Sequence, residues 1–247
     1  VRIVVIGGTG VAGSAVMRQG QRRKHEMTAV SRASGVDVLR GTGLEEAMAT
    51  ADAVIDVSSI RTLSQRRATQ FFRTAMTNIL ATATHVELPH LVRLSIIGVD
   101  QNPRGFYAGQ LALEQMCGDS AVPSTVLRAA QFHEFAAQTL QRGAVGPLVL
   151  APRARVQPIA AKEVGARLIE LAENGPQGRV RDLAGPREEE LGEMARDYAR
   201  RTGRGGPVVS VSLPMAMMRG MRQGLNLPGS HADLGVQTFA EWLRELP

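Results

Sequence analysis

Gly7, Gly10 and Gly13 stand three residues apart, directly after the apolar run Ile3-Val4-Val5-Ile6. A β-branched run that stops at glycine reads as a strand buried on both faces. Glycines at this spacing, between a strand and a helix, can seat a diphosphate. Gly7 permits the tight turn out of the strand. Gly10, flanked by Thr9 and Val11, lets backbone approach the anion. Gly13 lets helix and strand pack closely. The helix expected from Ser14 to Gln21 aims its N–H groups at the charge. The chemistry implied is the binding of a dinucleotide.

The end of the next strand selects the dinucleotide. An NAD site places Asp or Glu there for the ribose 2′-hydroxyl. Here the strand expected over Met27 to Ser31 runs into Arg32, with no acid in place. A guanidinium pairs with a 2′-phosphate in a charge-assisted, bidentate way. Arg32, with the Ser31 hydroxyl beside it, therefore favours NADP(H) over NAD(H). Topology also brings Val57 and Ser58, at the end of a later strand, next to the cofactor. Thr42-Gly43 could flank the adenine.

The other candidates for chemistry are few. The five histidines, at 25, 85, 90, 133 and 231, are scattered without zinc-ligand spacing, and the single Cys117 excludes a disulfide framework. No metal site and no catalytic triad is expected. The formal net charge is +6, and only Lys24 and Lys162 are lysines, so the positive charge is almost all arginine. These arginines are spread out and aromatics are scarce, which excludes a nucleic-acid stripe. No apolar run is long enough to span a bilayer, and no signal-like segment precedes the first strand. The expectation is a cytoplasmic protein, monomeric or homodimeric, with a small-molecule substrate and no membrane partner.

These residues need a scaffold, and 247 residues suit one large domain with a small appended lobe. Strand and helix patterns alternate. Strands are expected at Val36 to Leu39, Ala53 to Val57, Leu91 to Ser95 and Thr125 to Ala129. Helices are expected at Leu44 to Thr50, over Ala68 to Ala83, and from Phe106 to Cys117. The long one carries its apolar residues at i, i+3, i+4 spacing. This rhythm predicts an α/β fold, a Rossmann-like doubly wound parallel sheet with helices on both faces. After residue 150, prolines break the chain into short pieces. Helices are expected at Ala161 to Glu173, Leu191 to Arg201 and Val236 to Leu246, and a strand at Val180 to Leu183. The predicted division is a dinucleotide-binding domain over 1–150 and a small substrate lobe over 151–247. The two are integrated as one structural unit, with the lobe over the carboxyl ends of the strands. Met215, Met217, Met218 and Met221 suit either a lining for an apolar ligand or the packing of their own helix.

The chain resembles an atypical short-chain dehydrogenase/reductase of the NmrA-like, NAD(P)H-binding kind. The resemblance rests on the Gly7-x-x-Gly10-x-x-Gly13 spacing, on Val92-Arg93-Leu94-Ser95-Ile96-Ile97-Gly98, and on Leu127 through Phe135. Val156-Gln157-Pro158-Ile159-Ala160 and Leu183-Ala184-Gly185-Pro186 resemble pieces of its substrate lobe. It implies an oxidoreductase fold and cofactor. Typical members of the larger superfamily carry Tyr-x-x-x-Lys after the fifth strand, a proton donor with a lysine that lowers its pKa. The matching positions here are Phe106 and Gln110. Gln110 can hydrogen-bond a ribose hydroxyl but brings no charge. The proton for any reduction must then come from Tyr107, His133 or water. Ser95 stands where a serine would polarise the substrate. The expected function is an NADP(H)-dependent oxidoreductase on a small apolar organic substrate. The alternatives are a non-catalytic NADP(H) redox sensor, or a non-redox cyclase, isomerase or dehydratase on the same fold.

Overall fold

Residues 1–203 and 206–246 are described by the computed structural model. In chain order the elements begin with β1 (Arg2–Ile6), α1 (Val11–Arg22), β2 (Glu26–Val30), α2 (Leu44–Met48), β3 (Ala53–Asp56) and α3 (Gln65–His85). There follow β4 (Leu91–Ile96), α4 (Phe106–Gly118), β5 (Ser124–Ala129), α5 (Phe135–Gly143), β6 (Ala144–Val145), β7 (Leu148–Pro152) and β8 (Arg155–Val156). The last are α6 (Ala161–Asn174), β9 (Gly178–Arg179), β10 (Leu183–Ala184), β11 (Glu189–Glu190), α7 (Leu191–Thr202), β12 (Val208–Val211), α8 (Ala216–Arg222), β13 (Asp233–Leu234) and α9 (Phe239–Arg244).

The chain divides into two units, and neither is one continuous stretch. The first takes residues 1–95, 105–128 and 161–181; the second takes 96–104, 129–160 and 182–247. The chain thus passes between them repeatedly rather than once near residue 150. One reason lies in α6. It returns to pack on α1, so closely that a Cβ on Gly165 would lie 2.8 Å from the Ala15 carbonyl carbon.

In the first unit the strand order is β5-β4-β3-β1-β2, with β9 beside β5. β1 pairs in parallel with both β2 and β3, and β3 with β4. The apolar runs of β1 and β3 are buried as predicted for strands covered on both faces. Helices must join parallel neighbours by right-handed crossovers. The chain reverses direction across the sheet at β1, so α1 lies on one face and α3 and α4 on the other. The helix α3 buries Ala68, Phe72, Ala75, Met76, Ile79 and Ala83 as one stripe. This is the stripe that the i, i+3, i+4 spacing predicts.

Two expected strands are absent as written. Val36 to Leu39 forms a turn closed by an Asp37–Thr42 bridge. The Asp37 carboxylate accepts the Leu39 N–H at 2.9 Å, and Asn78 of α3 donates to the Val38 and Leu39 carbonyls. These side chains take the hydrogen bonds a strand would have given a neighbour. Val180 to Leu183 is not one strand: Gly178–Arg179 and Leu183–Ala184 form the short strands β9 and β10, and in the link between them the Val180 N–H donates to the Val126 carbonyl at 3.1 Å.

The second unit holds a three-stranded sheet ordered β12-β7-β6 and an antiparallel β8–β11 pair. In it β10 lies parallel to β13, and Leu183 pairs with Ala129. Helix α5 is not among the sequence-based expectations; it buries Leu140 with Val149, Ala151 and Ala195.

Within the first unit His90 is buried, and its Nε2 lies 2.8 Å from the Thr125 hydroxyl. Burial lowers its pKa below the ordinary 6.5. The unfolded chain takes up a proton as pH falls through 6.5, while folded His90 resists. Its contribution to stability is thus complete above the unfolded value and lost as pH falls toward the folded one. Thermal melts in mildly acidic buffer should fall more steeply for the natural chain than for His90→Gln. Parallel curves would contradict this.

Candidate functional site

The glycine turn lies where the strand order reverses, between the carboxyl ends of β1 and β3. Open α/β sheets bind ligands at such a point. Gly7 has φ +82°, which glycine adopts without strain. The Gly10 N–H donates to the Gly7 carbonyl at 3.1 Å and closes the turn. A Cβ on Gly13 would sit 2.2 Å from the Gly7 oxygen and 2.5 Å from the Gly8 Cα, so only glycine fits. A Cβ on Gly7 would come within 3.1 Å of the Ser58 backbone, so the β3 loop lies directly against the turn. Gly10 differs: Thr9, Gly10 and Val11 are exposed, and a Cβ on Gly10 meets nothing nearer than 3.5 Å.

No side chain caps α1, and its first turn carries no acid. The N–H groups of Val11, Ala12 and Gly13 have no carbonyl partner inside the helix. An open glycine surface over unclaimed N–H donors fits a diphosphate. At the end of β2, Arg32 is exposed and its side chain has no hydrogen bond or ion pair among the described residues. Ser31 opens the turn that carries it; there the Ser34 hydroxyl, accepting the Ser31 N–H and donating to the Ser31 carbonyl, closes the backbone.

Residues 3–95 match the model of the NAD-dependent epimerase/dehydratase family. The match ends where the first continuous segment of the first unit ends. No curated protein matches the chain by sequence. Solved structures match along the whole length. An NADPH-dependent quinone oxidoreductase from Escherichia coli, complexed with NADPH, has 18% identity and a TM-score of 0.72, with 98% of each chain covered. A nucleoside-diphosphate-sugar epimerase from Staphylococcus aureus has 16% identity and a TM-score of 0.71, covering 99% of this chain and 100% of that one. Triphenylmethane reductase from Citrobacter has 15% identity and a TM-score of 0.69, covering 93% and 92%. At these identities the likeness establishes the fold, a Rossmann-like NAD(P)-binding one.

The remaining predicted residues have different surroundings. Ser95 ends the first unit's part of β4 at 1% exposure, and its hydroxyl is enclosed without a hydrogen-bond partner among the described residues. Tyr107 is buried on α4, its ring edge-on to Phe106, which in turn packs edge-on against Phe72. Gln110, one helical turn after Phe106, is buried and accepts a hydrogen bond from Arg93 at 3.2 Å. Val57 is half-buried, and Ser58 is buried with its N–H donated to Asp56 at 2.8 Å. His133 belongs to the second unit. It is fully buried, with Nε2 3.1 Å from the Gln237 carbonyl and its ring tilted against those of Phe239 and Trp242, which stack on each other. Met217, Met218 and Met221 are buried in that unit also, as packing residues of α8.

One residue went unnoticed as a candidate. Arg93 lies at 1% exposure in the middle of β4, 2.8 Å from the Asp56 carboxylate at the end of β3. The signal was present: an arginine inside Leu91-Val92-Arg93-Leu94, and an acid closing Ala53-Val54-Ile55 on the next strand. A cleft of about 400 Å³ in the second unit is lined by Arg153, Arg155, Glu190, Glu193, Arg196 and Arg222. Most of its guanidinium groups are already committed, Arg155 to Glu188, Arg196 to Ser210 and Arg222 to the Leu213 carbonyl. It reads as a solvated ion network.

Proposed function

We propose that the chain is an NADP(H)-dependent oxidoreductase acting on a small, largely apolar organic substrate of the quinone kind. The observation that carries this reading is Arg32, an exposed and uncommitted cation at the end of β2 beside an open glycine turn. A 2′-phosphate supplies the partner that it lacks, and an NAD site would want an acid there. Gly7, Gly10 and Gly13, with Thr9 and Val11, receive the diphosphate. Val57 and Ser58 flank the far side of the turn.

The cofactor supplies a hydride; the chain orients it and holds the acceptor. Phe106 and Gln110 cannot transfer a proton. A substrate that accepts hydride to give a stabilised anion, as a quinone does, lowers the demand for an acid, and water or Tyr107 completes the protonation. Ser95, its hydroxyl enclosed at the end of β4, and His133 are left with packing roles. The similarity to an NADPH-dependent quinone oxidoreductase supports this substrate class.

Arg32→Ala should weaken NADPH by roughly tenfold to a hundredfold, the worth of about 1.5–3 kcal/mol in charge-assisted hydrogen bonds. NADH affinity should hold within about twofold. Titration calorimetry with both cofactors checks this, and equal losses for the two would sink the NADP(H) assignment. Consumption of NADPH across carbonyl, enone and quinone compounds tests the reaction. The enclosure of Tyr107 and Ser95 favours a second reading, a redox sensor that binds NADP(H) without turnover. Tight NADPH binding with no turnover of any class selects it.

A further inference from the structure

A buried guanidinium in the centre of a strand needs partners, and those of Arg93 form one chain through the first unit. Its Nη1 sits 2.8 Å from the Asp56 carboxylate and donates to the Asp56 carbonyl at 3.1 Å. Both Nη atoms donate to the Ser58 carbonyl at 3.3 Å. Nη2 donates to Gln110 Oε1 at 3.2 Å, and the group lies 5.7 Å from the centre of the Phe72 ring. Such a pair stabilises no better than apolar residues of the same volume. Its value is in what it orients.

An arginine can only donate. The oxygen of the Gln110 amide must therefore face Arg93, and the nitrogen must face away. That settles by chemistry an orientation otherwise open to a flip. The Gln110 Nε2 has no protein acceptor among the described residues, and it is not one of the fully enclosed unpaired atoms, so it keeps an open edge. On its other side the same guanidinium holds Ser58, whose backbone lies against Gly7. Strand order gives the direction. Arg32 ends β2 and the glycine turn ends β1, so a dinucleotide with its 2′-phosphate at Arg32 has its nicotinamide half over β3 and β4.

Resting on the dinucleotide reading above, we propose that Arg93, held by Asp56, is the positioning residue of the cofactor site. It fixes the Gln110 amide as a hydrogen-bond donor to an oxygen of the nicotinamide half. It also pins the Val57–Ser58 loop against the glycine turn.

The test is Gln110→Glu. A carboxylate satisfies Arg93 at least as well, so the melting temperature should hold. It presents an acceptor where a donor stood, so NADPH should bind about tenfold or more weakly. Adenosine 2′,5′-bisphosphate lacks the nicotinamide half and should bind as it does to the natural chain. Acidification protonates the carboxylate and should recover NADPH affinity relative to the natural chain. Gln110→Met should repeat the split between the two ligands without the pH dependence. Equal NADPH affinity in Gln110→Glu, equal losses of both ligands, or a collapse of its melting temperature would each overturn the proposal. A natural chain that binds neither NADPH, NADH nor the bisphosphate would overturn the dinucleotide reading, and the proposal with it.

Discussion

Arg93→Met should lower the stability of the protein by about 3–5 kcal/mol, the usual cost of leaving one charge of a buried pair uncompensated. Methionine fills most of the volume, so a cavity is not the cause. The cause is Asp56, which is fully buried and keeps its Ser58 N–H but loses the guanidinium beside it. The Ser58 carbonyl and Gln110 Oε1 lose their donor at the same time. Urea titration of the ligand-free protein measures the loss. Adding Asp56→Leu to Arg93→Met should return much of it, because an apolar pair needs no partners. The double variant should still bind NADPH weakly. A single variant as stable as the natural chain would mean that water reaches Asp56.

Gly13→Ala and Gly10→Ala should separate folding from binding. Alanine is a better helix former than glycine by about 1 kcal/mol. At position 13 that gain is overridden, because the new methyl group would lie 2.2 Å from the Gly7 oxygen. Backbone on both sides must shift, at roughly 1–3 kcal/mol, and the turn to which we assign the diphosphate shifts with it. Both the melting temperature and NADPH affinity should fall. Gly10 has φ −77° and ψ 177°, an extended conformation open to alanine, with its Cβ position clear to 3.5 Å. Gly10→Ala should therefore melt like the natural chain within about a degree or two, since a change under ~0.5 kcal/mol moves a domain of this size little. It should still lose most of its NADPH affinity, because the methyl group occupies the approach to the anion. A Gly10→Ala protein with full affinity would place the diphosphate elsewhere.

The glycine turn was legible because it is local: a strand, a turn and a helix are fixed by thirteen consecutive residues. So was α3, whose stripe needs no distant partner. Distance in sequence set the limit elsewhere. Asp56 and Arg93 are 37 residues apart, and neither the acid at one strand end nor the arginine within another strand names its partner. The surroundings of His133 come from Gln237, Phe239 and Trp242, about a hundred residues on. Val36 to Leu39 shows the opposite failure. Its apolar pattern suggested a strand, but Asp37 and Asn78 supplied side-chain hydrogen bonds that propensity does not weigh.

The interleaving of the two units has a consequence for how such a protein can change. The chain passes from one to the other after residues 95, 104, 128, 160 and 181. A cut near residue 150 would also strip α6 from its seat against α1 at Gly165. The second unit cannot be lifted out as a cassette and replaced by a relative's. Five junctions would have to be matched at once. Exchange of the second unit by shuffling would have to meet all five junctions, whereas residue-by-residue substitution or loop insertion within it leaves them untouched.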